Sequence, residues 1–326
     1  MIGMDKINMR SNKTYVDRHR MSKCAAFYKH TNVRSGNRIF PCCRYKEPVA
    51  VFDGNLNKIL DLPEMQKLRE TPVEDNPNCA KCIHEESLGK NSLRERFNAE
   101  YDTEEVKLEY LEIGFDNICN AACDGCYPEF SSEWGKILDP NKKKHIVSSD
   151  EITSIPDTVT KILFLGGEPL MTNRHRRLLE MVNDLSKMTV IYNTNGTFML
   201  DKETIKQLEK CKSVEFILSL DGYGELNERV RKNCEWNKIE RFIDQVKLWG
   251  YKLSVNTVLH RNNYHGLVDL ENYINSLKDV EWSVNILTFP KQLDVNTVEN
   301  KQEVISSIAK TNIANKEALI NHVARY

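Results

Sequence analysis

Several things are scarce in these 326 residues, and each scarcity excludes something. No apolar run approaches the ~18 residues that a bilayer-spanning helix needs, so no membrane span is expected. Met1 to Lys13 is polar and basic without an apolar stretch, so no secretory leader is expected and a cytoplasmic setting is. No internal repeat or low-complexity tract is evident. Excess charge of one sign is lacking too: 46 Lys and Arg face 47 Asp and Glu, a net charge of −1 that names no partner. Locally the balance differs. Residues 1–50 hold eleven Lys or Arg and three Asp or Glu. Such a stretch is either a solvated face or an attractive surface for an anionic substrate or nucleic acid. Few aromatics interleave it, which weakens the nucleic-acid version.

Cysteine is what the chain has. Ten cysteines without a leader argue against a disulfide framework and for metal. One group is Cys119-x3-Cys123-x2-Cys126, directly after an apolar-alternating segment, Leu108 to Phe115. Three close thiolates can ligate three irons of a cubane [4Fe–4S] cluster and leave the fourth open to a small molecule. About forty residues on, the chain reads Leu165-Gly166-Gly167-Glu168-Pro169. The other group is Cys24, Cys42-Cys43 and Cys79-x2-Cys82. Four thiolates from it would close a site completely, around Zn²⁺ or a fully ligated [4Fe–4S] cluster; spacing does not choose between them. Cys211 and Cys234 are left over and are expected to pack in helices.

From Glu109 onward strand-like and helix-like stretches alternate. The strands read Tyr110–Phe115, Lys161–Leu165, Thr189–Asn193, Val214–Leu220, Lys252–Val258 and Trp282–Leu287, β-branched or aromatic at their centres. The helices read Asn173–Lys187, Lys202–Cys211, Glu228–Leu248, Tyr264–Leu277 and Val295–Asn315. The first crossover, Ser131–Ile155, is less regular, and Ser149-Asp150-Glu151 is a helix start there. About thirty residues per unit predict parallel strands with right-handed crossovers. Ligands of such folds bind at the carboxyl ends of strands. The motifs fall there, joined by Asn193–Gly196 and Ser219-Leu220-Asp221-Gly222. Residues before about 100 lack this rhythm and read as a small metal-supported module.

Cys119-x3-Cys123-x2-Cys126 followed by Gly166-Gly167-Glu168-Pro169 resembles the radical S-adenosylmethionine (radical SAM) superfamily, over roughly Glu104 to Pro290. The resemblance implies an α/β fold, a partial (β/α)6 barrel spanning 104–326 with a C-terminal helix, preceded by the Cys-rich module at 1–103. It implies a [4Fe–4S] cluster on Cys119, Cys123 and Cys126, whose open iron holds the amine and carboxylate of SAM. It implies reductive cleavage to a 5′-deoxyadenosyl radical, with an electron donor such as flavodoxin or ferredoxin. By the same resemblance, Gly166, Gly167 and Glu168 hold the SAM amine, Asn195 and Ser219 face the ribose, and Arg231 clamps the carboxylate. The family commonly has an aromatic before the third cysteine, near adenine. Here that position is Gly125, and Tyr127 is the candidate replacement.

Phe40-Pro41-Cys42-Cys43, Cys79-Ala80-Lys81-Cys82 and Gly89 to Arg94 resemble the "twitch" module of some radical SAM proteins. That implies a second, auxiliary [4Fe–4S] cluster on Cys24, Cys42, Cys79 and Cys82, with Cys43 the alternative to Cys42. The module usually follows the barrel; here it precedes it. Among acid–base candidates, Asp116 and Asp221 sit near strand ends. Ser131, Ser132 and Trp134 could line the pocket. The expected function is a radical SAM enzyme, oxidoreductase or transferase-like, acting on a peptide or small polar metabolite, in a net oxidation if the auxiliary cluster accepts an electron. The alternatives are modification of a nucleic-acid base or nucleotide, and a zinc-stabilised, nucleic-acid-associated binding protein.

Overall fold

The computed structural model describes residues 23–87, 89 and 91–325. The stretch Met1–Lys13, much of the basic amino-terminal charge and Lys90 lie outside them.

Among the described residues nine strands form one sheet. In chain order they are β1 (His30–Arg34), β2 (Arg38–Phe40), β3 (Ala50–Val51), β4 (Tyr110–Gly114), β6 (Lys161–Leu165), β7 (Thr189–Thr194), β8 (Ser213–Ser219), β10 (Lys252–Leu259) and β11 (Glu281–Ile286). Two short strands, β5 (Ala122–Cys123) and β9 (Arg231–Lys232), pair antiparallel outside it. The sheet order is β11-β10-β8-β7-β6-β4-β1-β2-β3. From β11 to β4 every pairing is parallel, which gives the six strands of the partial barrel. Each strand is found within a residue or so of its expected place.

The amino-terminal segment does more than precede this barrel. β1 pairs parallel with β4, His30 opposite Tyr110 and Val33 opposite Ile113, and so adds a seventh parallel strand. β2 and β3 continue from it antiparallel. The sequence pattern does not reveal β1, because His30-Thr31-Asn32-Val33-Arg34 has little apolar content to alternate. Its polar side chains are buried all the same: His30, Thr31 and Asn32 are all nearly inaccessible.

The two faces of the sheet differ. One carries a cross-strand aromatic ladder, with Phe164 opposite Tyr192 and Tyr192 opposite Phe216 in register. Ring centroids lie 4.9 and 5.1 Å apart, and such pairs add some tenths to 1 kcal/mol each. Helix Trp236–Leu248 covers this face with Ile239, Phe242, Ile243 and Val246, the i, i+3, i+4, i+7 stripe of an amphipathic helix. The other face is polar. Glu112, Asn193, Glu215, Ser219 and Asn256 alternate with the apolar ladder, as the period of two requires.

Several helix expectations are corrected. Asn173–Lys187 is helical only over Arg174–Glu180. Lys202–Cys211 stops at Leu208. Glu228–Leu248 is two helices, Glu225–Val230 and Trp236–Leu248, interrupted because β9 pairs with the cysteine loop. The α-helical part of Tyr264–Leu277 starts at Leu267, after a tighter 3₁₀ turn. Val295–Asn315 is α-helical only over Lys301–Ala309, and a further helix, Lys316–Arg325, follows it. The turn between them is pinned where Asn312 N–H donates to Glu271 and Asn315 Nδ2 to the Val284 carbonyl. Ser149-Asp150-Glu151 starts no helix. The crossover helix is Ser132–Leu138, capped by the Ser131 hydroxyl, which accepts from Trp134 N–H. Ser149 is spent elsewhere: its hydroxyl donates to the Arg34 carbonyl.

Candidate active site

A cavity of about 520 Å³ opens at the carboxyl ends of the parallel strands. Cys119, Cys123 and Cys126 line it, with Gly166, Gly167 and Glu168 from the end of β6. Tyr127, Asn195, Ser219 and Arg231 line it as well. Every residue singled out for the first cluster and for SAM therefore faces one space.

The cysteine loop and the Gly-Gly-Glu turn are joined by backbone. Gly167 N–H donates to the Asp116 carbonyl at 3.0 Å, and Glu168 N–H to the Ile118 carbonyl at 2.7 Å. That approach explains the glycine pair. A methyl on Gly167 would lie 2.1 Å from the Ile118 oxygen, and one on Gly166 would lie 2.6 Å from the Asp116 oxygen. Gly125 has φ +77°, and a side chain there would run into Leu287. This is the physical reason that no aromatic precedes Cys126. Tyr127 lines the cavity instead, edge-on to Phe289 at 5.8 Å.

The loop is held from every side. β5 pairs with β9, placing Cys123 opposite Arg231. Asn120 bridges to Thr197 and accepts from Asn195 Nδ2. Ser131, Ser132 and Trp134, expected along the pocket, work behind it. Ser131 donates to the Ala121 carbonyl, Ser132 to Cys119 and Trp134 Nε1 to Cys123. These bonds aim the loop carbonyls away from the cavity and leave the thiols to it.

Burial pushes the Cys119 thiol up to about 12 and the Cys126 thiol up to about 11. Cys123 moves the other way, chiefly because the Cys234 thiol donates to it, with Arg231 adding to the effect against burial. Cys234 is thus no helix-packing residue: it is fully buried in the turn after β9, against Cys123. Thiols that burial keeps protonated fit a metal group, whose charge replaces the protons. Among the described residues no group of three or more His, Cys, Asp and Glu side chains closes on a single ion.

The polar residues around the thiols are themselves organised. Glu168 is buried, and burial raises its pKa despite three donors. Its Oε1 accepts from Thr194 Oγ1 and Leu170 N–H, and its Oε2 from Asn195 N–H at 2.7 Å. The carboxylate therefore sets the end of β7 as well as facing the cavity. Arg231 donates to Asp221 at 2.7 Å, while its Nε has no partner. Asp221 also accepts from Val258 N–H, and Asp116 from Ile118 N–H. Ser219 donates to Asn193 at 3.3 Å.

The second cysteine group gathers around its own small cavity. Cys24, Cys42, Cys79 and Cys82 all line it; Cys43 does not, and lines the central cavity instead. Burial pushes Cys24 up to about 12 and Cys79 up to about 11, and raises Cys42 further. Arg44 donates to the Cys82 sulfur at 3.4 Å, and Arg94, paired with Glu86, flanks the same space. Cations beside clustered thiols suit a bound thiolate group. Arg44 carries no sequence signal for this role, whereas Arg94 closes the Gly89 to Arg94 stretch quoted above.

Comparison with known proteins agrees with the site. Residues 113–274, just under half of the chain, match the model of the Radical SAM superfamily. Among curated relatives, it is 24% identical over 214 residues to the GTP 3′,8-cyclase of Nautilia profundicola, covering 61% of this chain and 65% of that one. It is 26% identical over 174 residues to the S-adenosylmethionine-dependent nucleotide dehydratase of Flammeovirga pacifica, covering 51% and 58%. The match thus spans less than two thirds of each relative's length. Among solved structures, native anSMEcpe with bound AdoMet superposes with a TM-score of 0.43 at 20% identity, over 56% of this chain and 52% of that one. Among the described residues no helix is long and apolar enough to cross a membrane.

Proposed function

We propose that this protein is a radical SAM enzyme acting on a small polar metabolite of nucleotide type. The observation that carries the reading is the convergence of Cys119, Cys123 and Cys126 with the Gly166-Gly167-Glu168 turn on one cavity. The three thiolates would hold a [4Fe–4S] cluster, and with SAM bound it would supply a 5′-deoxyadenosyl radical for hydrogen abstraction. The chain's own residues position and shield. Carbonyls of the Gly-Gly turn and the Glu168 carboxylate suit an ammonium. Arg231, anchored by Asp221, offers its free Nε to a carboxylate. Asn195 and Ser219 supply hydrogen bonds to hydroxyls, and Tyr127 a ring face or edge for a base.

The nucleotide reading of the substrate rests on relatives named for GTP cyclisation and nucleotide dehydration. A second [4Fe–4S] cluster on Cys24, Cys42, Cys79 and Cys82, in a twitch-like module within 1–103, would suit electron transfer and a net oxidation. Flavodoxin or ferredoxin would deliver the first electron. The test is anaerobic reconstitution with a strong reductant. The protein should be brown, absorb near ~400 nm and release 5′-deoxyadenosine from SAM. Replacing Cys119, Cys123 and Cys126 together by Ala should abolish release while amino-terminal iron stays. Undiminished release would refute the assignment.

A further inference from the structure

β1 brings two side chains to the central cavity that the cysteine and SAM motifs do not account for. Because β1 runs parallel to β4, its carboxyl end reaches the same rim as the other parallel strand ends. Asn32 and Arg34 stand two residues apart on one face of it, and both line the cavity. Asn32 is only 1% exposed, yet its Oδ1 has no partner. Its orientation is set from behind. Asn32 Nδ2 donates to Glu112 Oε2 at 2.7 Å. Burial works against the Glu112 charge, but His30, Tyr110 and Arg34 outweigh it and hold that carboxyl below its usual range. An ionised carboxylate only accepts, so the amide must turn its nitrogen to Glu112 and its oxygen away.

Arg34 is the cation in this wall without a direct ion pair; Glu112 and Glu129 act on it only from beyond contact distance. Of the neighbouring arginines, Arg38 pairs with Glu129 and Arg231 with Asp221 at 2.7 Å. Arg34 forms no ion pair among the described residues. Its guanidinium lies 3.9 Å from the centre of the Phe40 ring, and its Nη2 donates to the Cys43 carbonyl at 3.4 Å. These contacts hold it in place without neutralising it. Burial works against the Arg34 charge more than these distant carboxylates support it, and an anion entering the cavity in direct contact would relieve that cost.

We infer that Asn32 and Arg34 form the substrate-recognition wall of the site, accepting a hydrogen bond from an N–H of the substrate's base and pairing with its phosphate. This deepens the proposed function and rests on its nucleotide reading. An acceptor and a guanidinium on alternate residues of one strand, about 7 Å apart at the backbone, select a molecule that carries a donor and an anion together. Guanidinium forks suit phosphate because they bind it with two parallel N–H···O bonds.

The experiment uses the reconstituted holoprotein with SAM bound. Affinity is measured by calorimetry for the four nucleoside triphosphates, their nucleosides and pyrophosphate. The wild-type protein should bind at least one triphosphate roughly tenfold or more tightly than its nucleoside, the range expected for one charge-assisted contact. Arg34→Gln should erase that difference and Arg34→Lys keep part of it. Asn32→Ala should level the ranking among bases. Circular dichroism and the melting temperature check each variant's fold, and the two Arg34 variants decide the matter if Asn32→Ala does not fold. An unchanged preference in Arg34→Gln, or no binding of any anion by the wild type, overturns the inference. Release of 5′-deoxyadenosine without nucleotide is scored separately. Release without nucleotide binding would leave the radical SAM reading standing and remove this one; Arg34-dependent binding without release would do the reverse.

Discussion

Gly167 sits so close to Ile118 that a methyl on it would lie 2.1 Å from the Ile118 carbonyl oxygen, the same oxygen that accepts from Glu168 N–H at 2.7 Å. Two strand ends thereby share one backbone seam, and the cysteine loop starts from it. Gly167→Ala would force the seam apart. Because the obstacle is backbone, it cannot swing away as a side chain would. Overpacking of this kind costs about 1–3 kcal/mol, occasionally more. The denaturation midpoint should fall and SAM affinity with it. A variant matching wild type in both would contradict the close approach.

Arg231 and Asp221 are a buried pair, so deleting the arginine has two consequences. Asp221 is 3% exposed and would be left uncompensated. Breaking such a pair costs about 3–5 kcal/mol. Arg231→Ala should therefore destabilise the fold as well as weaken SAM binding. The double variant Arg231→Leu/Asp221→Asn should recover much of the stability and none of the SAM affinity. Recovery of both by the double variant would mean that Arg231 only neutralises Asp221.

Cys79→Ala/Cys82→Ala should remove about half of the iron, the share of one of two like clusters. The segments that carry these cysteines should become sensitive to protease, since small metal modules depend on their metal. The barrel shares its hydrophobic core with Val33, Ile39, Phe52 and Leu56, so it should persist with a lowered melting temperature. Unchanged iron with loss of stoichiometric zinc would instead identify a zinc knuckle.

His175 provides a pH signature. It is 4% exposed, packed against Tyr192, with Nδ1 2.9 Å from the phenol oxygen. Burial lowers its pKa from 6.5 to about 4. Between those values the unfolded chain holds the extra proton, so stability falls as pH falls from 6.5 towards 4. At 1.36 kcal/mol per pH unit the loss approaches about 3 kcal/mol. Chemical denaturation at pH 7, 5.5 and 4.5 should show this slope, and His175→Gln should flatten it. An equal slope in the variant would assign the acid sensitivity elsewhere.

The barrel was legible because its strands are short β-branched or aromatic runs such as Lys161–Leu165 and Thr189–Thr194, spaced by helix-length segments. Helix lengths were less legible. Val230 ends its helix where its carbonyl accepts from Asp124 N–H of the cysteine loop, and periodicity carries no record of that. The cysteine loop and Gly-Gly-Glu turn announced themselves through residue type. Ser131, Ser132 and Trp134 did not reveal which way they face.

By itself, then, the sequence determined the parallel α/β order, the thiols available for metal and the glycines at which backbone can approach backbone. These follow from local chemistry: side-chain shape, alternation and the absence of a Cβ. Only the tertiary structure decided that β1 joins the barrel sheet, that Cys42 and Cys43 face different cavities, that Cys234 touches Cys123 and that Arg34 makes no direct ion pair. Each of those depends on partners far away in the chain, such as Glu112 eighty residues from Asn32. A cation's need for a counter-ion is set by what surrounds it in space, and no spacing along the chain encodes that.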